Sequence, residues 1–528
     1  MKNYLFILVF VLSTMAVIVS AQTAGALDPS FGNNGKLLVN VNNLDVFHDV
    51  AIQEDQKIVT VGMSFDAAYV STAHAHRYLA DGTPDPTFGT NGVFTFSLNF
   101  EANIYGCYIK PDGKILLAGE TTDYQDYRLL LIQLNPDGTI DHLFGDNGIV
   151  VEHVSIYEDH GWGLAVQEDG AILVCGTGTV DYAGEYRNAP MIVKFSADGE
   201  LDTSFGTNGV ATIPVNSIEN TLRSITVQPD GKILAAGHFA NDLFFFITLV
   251  VRFMPDGTLD PTFADNGMFK HPFGQADSQA FDIVVTEDDK ILVTGVSVAP
   301  TYDYSMMLFK LDAQGVLEPD FGTDGVVITD NAGTYDVGYG LRIQADDKIV
   351  VAGTTGNAPP EDNSMAVWRF NSNGAIDASF GTNGMTAINM GNAADEAMGI
   401  ALQEDEKIVI AGKSRNDANF DFAIVRLLGD HSTAVTDINA TTASFYPNPV
   451  ISGSQVSIEY ELKSAGSVVA EIIDALGIPV ASVSLGNLNA GTQKSIFTLP
   501  DNISQGVYLI RLNENGIKGQ VSKFIVTK

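Results

Sequence analysis

The nine residues from Leu27 to Gly35 read LDPSFGNNG, and similar segments return six more times along the 528-residue chain. The phenylalanine of each copy marks its place: Phe31, Phe88, Phe144, Phe205, Phe263, Phe321 and Phe380. Successive copies lie 57, 56, 61, 58, 58 and 59 residues apart. Self-similarity at a nearly fixed period is typical of repeat architectures, in which each unit packs on its neighbours.

A second segment keeps step with the first. Its first copy, QEDQKIVTVG, ends at Gly62, and the later copies end at Gly119, Gly176, Gly237, Gly295, Gly353 and Gly412. Each copy contains an acidic turn such as PDG or EDD, which is typical of a tight β-hairpin with a positive φ near its end. The two segments therefore predict seven copies of one β-rich unit.

Turn residues divide each unit into four short strands. In the first unit we predict them at about Lys36 to Val41, Asp49 to Gln53, Lys57 to Gly62 and Ala73 to Leu79. Seven such units predict an all-β fold, a seven-bladed β-propeller with four strands per blade spanning residues 27–428, and a linear β-solenoid is the alternative. The seventh unit lacks its own linker while a spare copy precedes the first, so we expect the spare copy to close the ring and remove two sheet edges.

Charge and cysteine content narrow the classes of partner. Acidic residues outnumber basic ones by 64 to 28, and the formal net charge of −36 argues against a nucleic-acid partner. Such a surface suits cations or neutral polymers. The apolar fraction of 45% is large enough for a packed core. The two cysteines, Cys107 and Cys175, occupy non-equivalent repeat positions, which favours free thiols over a disulfide framework.

The N-terminus has the pattern of a secretory signal peptide over residues 1–21. A basic Lys2 precedes an apolar run from Leu5 to Val19, and small residues end at Ala21. The alternative is a membrane anchor, although the run is shorter than the roughly 20 residues that span a bilayer. We therefore expect a secreted or cell-surface protein without a membrane span in its mature form.

A different pattern follows the repeats. Residues 429–443 form a polar linker, and residues 444–528 show short alternating strands separated by Gly and Asn turns. This segment opens with FYPNP, from Phe445 to Pro449. We predict a small Ig-like antiparallel β-sandwich.

Both parts resemble known families. The two repeat segments and strand endings such as DFAIVRL, Asp421 to Leu427, resemble the delta-60 repeats of bacterial surface proteins, a propeller-like family without an established activity. The FYPNP start, GVYLIRL from Gly506 and KFIVTK at the end resemble the C-terminal sorting domain of the type IX secretion system of Bacteroidetes. The second resemblance implies that the tail is read by the secretion machinery and cleaved at the cell surface. An ordinary Ig-like binding module is the alternative.

Motifs of catalysis and of cofactor binding are absent from the sequence. It has no HExxH motif, no GxSxG elbow and no phosphate-binding loop, so we predict no catalytic residues and no cofactor. His74 and His76 lie two apart and could share a metal, but without a third ligand they are more typical of surface histidines. The turn from Asn371 to Asp377 is similar to a calcium loop, but equivalent turns lack some oxygen ligands and Asx-turns account for it better. We therefore predict no metal site.

Comparison of the seven copies separates fixed loops from variable ones. The hairpin and the linker hardly vary, whereas the loop between the third and fourth predicted strands varies and belongs to the opposite face of the ring. Rigid aromatic area combined with directed hydrogen bonds suits sugars or peptides. The candidate ligand-binding residues of these loops are Tyr69, Asp123, Tyr124, Tyr127, Tyr182, Tyr186, Tyr302 and Tyr304.

One acid per unit lies on the same predicted face: Asp45, Glu101, Asp159, Glu219, Asp277, Asp336 and Asp395. These acids either contact a ligand or cap turns. We predict a non-catalytic binding or adhesion module for glycans or peptides. A secreted polysaccharide- or peptide-degrading enzyme on the same scaffold and a structural surface-layer protein are the alternatives.

Overall fold

A computed structural model gives the fold. It describes residues 23–98, 101–122, 126–213, 219–241, 245–274, 276–329, 335–357, 363–391, 394–416, 419–430, 444–462, 466–473, 479–489, 491–500, 503–514 and 517–527. The chain divides into two compact units, Met1–His431 and Ser432–Lys528. The predicted signal peptide and almost all of the predicted linker lie outside the described residues.

The first unit is built of short strands and turns. Its strands are β1 (Lys36–Val39), β2 (Leu44–Ile52), β3 (Ile58–Phe65), β4 (Ser71–Tyr78), β5 (Val93–Phe96), β6 (Glu101–Ile109), β7 (Ile115–Thr122), β8 (Tyr127–Leu134), β9 (Ile149–Glu152), β10 (Asp159–Val166), β11 (Ile172–Tyr182), β12 (Glu185–Phe195), β13 (Val210–Thr212) and β14 (Asn220–Val227). It continues with β15 (Ile233–Ala240), β16 (Phe246–Phe253), β17 (Met268–His271), β18 (Ser278–Val285), β19 (Ile291–Val298), β20 (Tyr304–Leu311), β21 (Val326–Thr329), β22 (Val337–Ile343), β23 (Ile349–Gly356), β24 (Asn363–Phe370), β25 (Met385–Ile388), β26 (Asp395–Leu402), β27 (Ile408–Arg415) and β28 (Phe420–Leu427).

Within the described part of this unit, the strands group into seven four-stranded antiparallel sheets. Five sheets run in simple sequence order from β6 to β25, the first is β2-β3-β4-β5, and the last is β26-β27-β28 with β1 as its outer strand. The first strands of successive sheets pack on one another, from β2 against β6 to β22 against β26, and β26 packs back on β2. The all-β propeller fold predicted from the repeats is confirmed, and the packing of its innermost strands is that of a closed ring.

One predicted strand belongs to a different sheet from the one expected. The segment beginning at Lys36 was assigned to the first unit, but β1 pairs with β28 from Lys36–Val425 to Val39–Phe422. The outer strand of the first sheet is instead β5 (Val93–Phe96). The reason is that each linker leads the chain to the outer edge of the preceding sheet. The strand that follows the linker therefore becomes the outer strand of that preceding sheet.

Buried linker phenylalanines fill the space between neighbouring sheets. All seven are at most 2% exposed. Phe31, for example, packs with Phe47 of the first sheet and with Phe422 of the last. Full burial of a Phe side chain contributes about 1.5–3 kcal/mol, so the repeated linker is also a repeated core element.

The turns explain which linker and hairpin residues recur. Asn34 and Gly35 have φ values of 53° and 89°, and two successive positive φ values define the tight turn that reverses the chain. Ala264 replaces the usual first linker glycine and still adopts a φ of 42°. The hairpin position that was predicted to need a positive φ has one even where Gln56 occupies it, at 64°.

His74 and His76 are not surface residues, contrary to the expectation from sequence. Both are at most 3% exposed, between the first and last sheets. The side chains of Ser64, His74, His76 and Tyr78 form a continuous hydrogen-bonded row, with distances of 2.8, 3.1 and 3.0 Å. Side chains two residues apart on a strand point to the same face of the sheet, so His74 and His76 lie side by side on β4. Their rings hydrogen-bond to each other between the packed sheets.

The second unit is a small β-sandwich. Its strands are β29 (Ser444–Tyr446), β30 (Val450–Ile451), β31 (Gln455–Leu462), β32 (Gly466–Ile473), β33 (Pro479–Leu488), β34 (Gly491–Thr498), β35 (Gly506–Glu514) and β36 (Ile517–Thr527). One sheet has the order β29-β31-β34 and the other β30-β36-β35-β32-β33. Their facing side chains form one core that includes Ile458, Phe497, Ile472 and Phe524. This arrangement agrees with the predicted sandwich.

Helices play no part in the fold as far as it is described. Among the described residues there is no helix that is long and apolar enough to cross a bilayer.

Candidate ligand-binding site

Every innermost strand carries a β-bulge at the same point. The pairing with the second strand shifts between Phe47 and Asp49 in the first sheet, and at the equivalent point in the other six. The residues at the bulge are His48, Tyr105, Trp162, Arg223, Phe281, Tyr339 and Met398, and we call them the collar. Bulges re-aim side chains and are frequent beside functional sites. Here all seven side chains line one central cavity of about 350 Å³.

Ring contacts join four collar residues into an arc. The ring centroids of His48 and Tyr105 are 4.8 Å apart, and those of Tyr105 and Trp162 are 4.6 Å apart. The Arg223 guanidinium carbon lies 4.4 Å from the centre of the Trp162 ring. On another side of the cavity, Phe281 and Tyr339 are 5.1 Å apart. Such contacts hold the rings in fixed orientations, as a preformed site requires.

Arg223 has an unusual environment for a cation. Among the described residues it forms no ion pair within 4.0 Å, and its buried Nε has no hydrogen-bond partner. Burial lowers the pKa of Arg223, although the nearby Tyr105 and Glu120 act in the opposite direction. A guanidinium offers five N–H donors and stays charged at neutral pH, so this site presents positive charge to the cavity.

His48 faces the same cavity in its neutral form. Burial lowers the pKa of His48 to about 3, and the charges of Lys413 and Arg223 act in the same direction. Its Nε2 atom is buried and has no partner among the described residues. A neutral imidazole at this point offers one donor or one acceptor to a ligand.

Acids in the innermost strands lie next to the collar. Asp49 accepts a hydrogen bond from the Cys107 backbone N–H at 3.0 Å, and Asp282 accepts one from Leu341 at 2.8 Å. Asp282 also pairs with Arg342 at 3.1 Å. Burial raises the pKa of Asp49, opposed by Arg342. These acids tie neighbouring sheets together along the wall of the cavity.

A hydrogen-bonded chain of titratable side chains lies beside the collar. Glu120 accepts from the Tyr105 hydroxyl at 2.9 Å and bonds His160 Nδ1 at 2.7 Å. Burial acts to lower the pKa of His160, but the hydrogen bond and charge of Glu120 outweigh it and raise that pKa. Burial and the charge of Glu120 raise the pKa of Tyr105 well above its usual value. The chain joins an imidazole to a phenol through one carboxylate and is able to move a proton.

The structure separates six of the eight sequence-predicted residues into three groups. Tyr127 lies against His160, with ring centroids 4.6 Å apart, and Tyr304 lies 4.8 Å from Tyr335. Tyr69 and Tyr302 are 82% and 73% exposed on loops and contact none of the other candidates among the described residues. Tyr182 and Tyr186 lie at the end of the β11–β12 hairpin, where Tyr186 packs edge-on against Tyr157 at 4.8 Å.

Two of the predicted residues, Asp123 and Tyr124, lie outside the described residues. The remaining six do not form one cluster, and two of them approach the cavity. Tyr127 reaches it through His160, which stacks 5.7 Å from Trp162. Tyr304 does so through Tyr335, whose hydroxyl interacts with that of Tyr339.

Several of the seven acids that the sequence placed on the face of the variable loops cap turns. Asp45 is fully buried and accepts hydrogen bonds from the backbone N–H groups of Val41 and Asn42. Asp159 and Asp395 are also fully buried and accept from the turns that precede their strands. Of the two roles considered from sequence, turn capping is the one that these three acids have.

The collar was missed because it breaks the strand pattern. Regular alternation assigns every second residue of a strand to the same face, and a bulge adds one residue that alternation does not count. A signal was nevertheless present. The fifth residue before Gln53 and its equivalents is His, Tyr, Trp, Arg, Phe, Tyr or Met, a large side chain in every copy, and the residue after it is always Asp, Gly or Ser.

Among the described residues, no group of three or more His, Cys, Asp or Glu side chains is arranged to hold a metal ion. The cavity is thus lined by rings, one unpaired guanidinium and a few acceptors. Fold and cavity together define a β-propeller with a ligand-sized central channel.

Comparison with known families agrees with this class. The repeats belong to the family described as "Domain of unknown function (DUF5122) beta-propeller", which matches residues 53–88, 110–144, 167–205, 228–263, 344–380 and 403–430. The second unit belongs to the family described as "Secretion system C-terminal sorting domain", matched over residues 444–527. The chain is therefore a repeat propeller protein secreted to the cell surface or beyond, and its tail interacts with the type IX secretion machinery. Both resemblances seen in the sequence are confirmed.

Solved structures offer distant likenesses. A polysaccharide lyase of family PL25, an ulvan lyase, is 9% identical with a TM-score of 0.41, over 77% of this chain and 96% of that one. The GH32 beta-fructofuranosidase BmSUC1 of Bombyx mori is 12% identical with a TM-score of 0.27, over 80% and 85%. Likenesses at this level carry no argument about the activity of this chain. No curated protein matches it.

Proposed function

We propose that the protein is a secreted, non-catalytic binding module that takes a glycan or peptide ligand at the central channel. The observation that carries the proposal is the collar: seven equivalent bulges place seven different local surfaces around one cavity of about 350 Å³. A purely structural repeat would not need His, Trp, Arg and Met at one equivalent position. Large side chains of varied chemistry at such a position are expected when a rigid scaffold presents a binding site.

The mouth of the channel extends the proposed site. Tyr127 and His160 continue the aromatic surface outward from Trp162. Tyr304 and Tyr335 do the same beside Tyr339. The exposed Tyr69, Tyr182, Tyr186 and Tyr302, together with Asp123 and Tyr124, supply peripheral contacts in this proposal.

A screen of glycan and peptide arrays with the secreted protein tests the proposal. We expect binding to a restricted set of ligands and loss of that binding in Trp162→Ala, which removes the ring between Tyr105 and Arg223. Leu143→Ala, at an 87% exposed linker position outside the proposed site, is the control. Equal binding by the Trp162 variant and the wild type would place the site elsewhere and contradict the proposal.

A second candidate function is an enzyme on the same scaffold. The observation that favours it is the Tyr105–Glu120–His160 chain, since a hydrogen-bonded phenol and imidazole beside a cavity are suited to general acid–base chemistry. Incubating array-positive polysaccharides or peptides with the protein and analysing the products decides between the two. Products released by the wild type but not by His160→Gln would replace the binding function with the enzymatic one.

A further inference from the structure

Among the described charged residues that line the cavity, Arg223 is the one that has no ion pair and whose buried Nε has no hydrogen-bond partner. A buried cation is normally paired, because removing it from water without a partner is costly. Arg342, which also lines the cavity, is 37% exposed and still pairs with Asp282 at 3.1 Å. Arg223 has only the Trp162 ring at 4.4 Å, and its buried Nε donates to nothing among the described residues.

Neighbouring acids do not fill this role. Glu120 is already engaged with the Tyr105 hydroxyl and His160 at 2.9 and 2.7 Å. Arg223 lines the central cavity together with His48 and Tyr339, which belong to other sheets of the ring. A planar group with parallel N–H donors binds a carboxylate through two hydrogen bonds.

We propose that Arg223 binds the carboxylate of an acidic sugar held in the collar. This inference rests on the proposed binding function and gives it a ligand class. The formal net charge of −36 opposes a polyanion, so the ligand brings one acidic group into the channel rather than many. The rest of the wall suits hydroxyl groups, since Asp49 has acceptor sites beyond those used by the Val50 and Cys107 backbone N–H groups, and neutral His48 has an unpartnered Nε2.

An acidic sugar fits this arrangement better than a peptide acid does. It combines one carboxylate with several hydroxyl donors and a compact ring, which matches one cation, several acceptors and a cavity of about 350 Å³. A peptide brings its own backbone carbonyls, and these would meet the acceptor oxygens of Asp49. Two matched ligand pairs separate the sources: glucuronate with its methyl ester, and a dipeptide acid with its amide.

The experiment measures binding of these four compounds to the full secreted protein by calorimetry. We expect glucuronate to bind and its methyl ester to bind at least about tenfold more weakly, the loss typical of one charge-assisted hydrogen bond. Equal affinity for glucuronate and its ester would overturn the proposal. A peptide acid that binds more tightly than glucuronate would overturn the sugar assignment. The ligand pairs need no variant, so the comparison does not depend on whether a substituted channel folds.

Variants then assign the effect to the residue. Arg223→Gln should abolish the preference for the acid over the ester, and Arg223→Lys should keep part of it because the charge remains without the planar fork. Lys232→Gln, which removes a positive charge that pairs with Asp230 and Asp260 instead of lining the cavity, is the control and should bind as the wild type does. An unchanged preference in Arg223→Gln would overturn the proposal. If neutral glycans bind and acids show no preference, the binding function stands and only this inference fails; if no saccharide or peptide binds, both fail.

Discussion

Arg426 donates a hydrogen bond from Nε to Asp28 Oδ2 at 2.8 Å, although 398 residues separate the two in the chain. The same contact joins Arg77 to Asp85 and Arg252 to Asp260 at 2.8 Å, where the two residues are only eight positions apart. The Arg426 guanidinium also lies 4.7 Å from the centre of the Phe31 ring. The pair thus repeats at the ends of the chain a contact that is local everywhere else, and it closes the ring.

Removal of residues 23–39 should destabilise the whole propeller. The deletion takes away β1, Phe31 and Asp28, and leaves Arg426 as a buried charge without its partner. Breaking a buried ion pair from one side alone typically costs about 3–5 kcal/mol. Thermal unfolding of both forms measures the effect, and we expect one cooperative transition at a clearly lower temperature.

A point variant gives the control for that deletion. Arg426→Ala and Arg252→Ala remove the same contact at the closure and within one sheet. Comparable losses in melting temperature are expected, because both arginines are buried. An unchanged transition after the deletion would contradict ring closure.

Acid should weaken the propeller between about pH 4 and pH 2. Burial acts to raise the pKa of Asp85, but hydrogen bonds from Thr87 and the charge of Arg77 outweigh it and lower the pKa to about 2, and Asp260 behaves alike. A carboxylate with a lowered folded-state pKa stabilises the fold above its unfolded value and loses that effect as pH falls through the folded value. Melting temperature against pH measures it.

The variant Asp85→Asn isolates this contribution. It should melt below the wild type at pH 7, and the difference should shrink as pH falls from about 4 to 2. Glu54→Gln, at an exposed hairpin position, should follow the wild-type curve. If the difference in melting temperature between Asp85→Asn and the wild type stays constant over this pH range, the ionised carboxylate of Asp85 does not stabilise the fold.

The buried histidine row should make the fold sensitive at milder acidity. Burial lowers the pKa of His74 to about 4 and of His76 to about 3, against an ordinary value of 6.5. Below pH 6.5 the unfolded chain binds protons that the folded chain does not, so stability falls from there towards pH 3. The double variant His74→Gln/His76→Gln cannot be protonated and should lose less stability between pH 6.5 and pH 4.

His142→Gln is the matched control for the histidine row, since His142 is exposed. We expect it to show the wild-type slope of melting temperature against pH. A double variant with that same slope would contradict the role assigned to His74 and His76.

Tyrosines at the channel mouth should contribute more to ligand binding than those at its periphery. Tyr304→Ala removes a ring that packs on Tyr335 at 4.8 Å, while Tyr302→Ala removes a 73% exposed ring two residues away. We expect Tyr304→Ala and Tyr127→Ala to weaken array binding by about 1 kcal/mol each, the usual size of an aromatic contact. Tyr302→Ala should change little, and the reverse order would move the site to the outer loops.

Processing should remove both ends of the chain. The signal pattern predicts a mature protein that begins near Gln22, and the sorting domain predicts loss of about the last 85 residues at the surface. N-terminal sequencing and intact mass of secreted protein measure both ends. Cell-retained protein that still carries Met1 would contradict the export prediction.

Local chemistry explains why so much of the fold could be predicted. The Asp-x-x-Phe-Gly linker, the acidic hairpin turn and the strand lengths each depend on a few adjacent residues, and repetition raises the signal sevenfold. The error over Lys36 to Val41 came from assigning the segment after a linker to the next sheet. The local sequence does not show whether this strand pairs with the sheet before the linker or with the sheet after it. Only the assembled ring decides between the two.

By itself, the sequence determined the class: an exported repeat propeller with a sorting tail, buried linker phenylalanines and a spare linker for closure. Only the tertiary structure decided which residues face the channel, where His48, Tyr105, Trp162 and Arg223 meet although 57 to 61 residues separate each from the next. The physical reason is that a bulge and a ring closure are relations between strands. Each depends on backbone pairing and on sheets that meet in space, and neither is a property of any short stretch of chain.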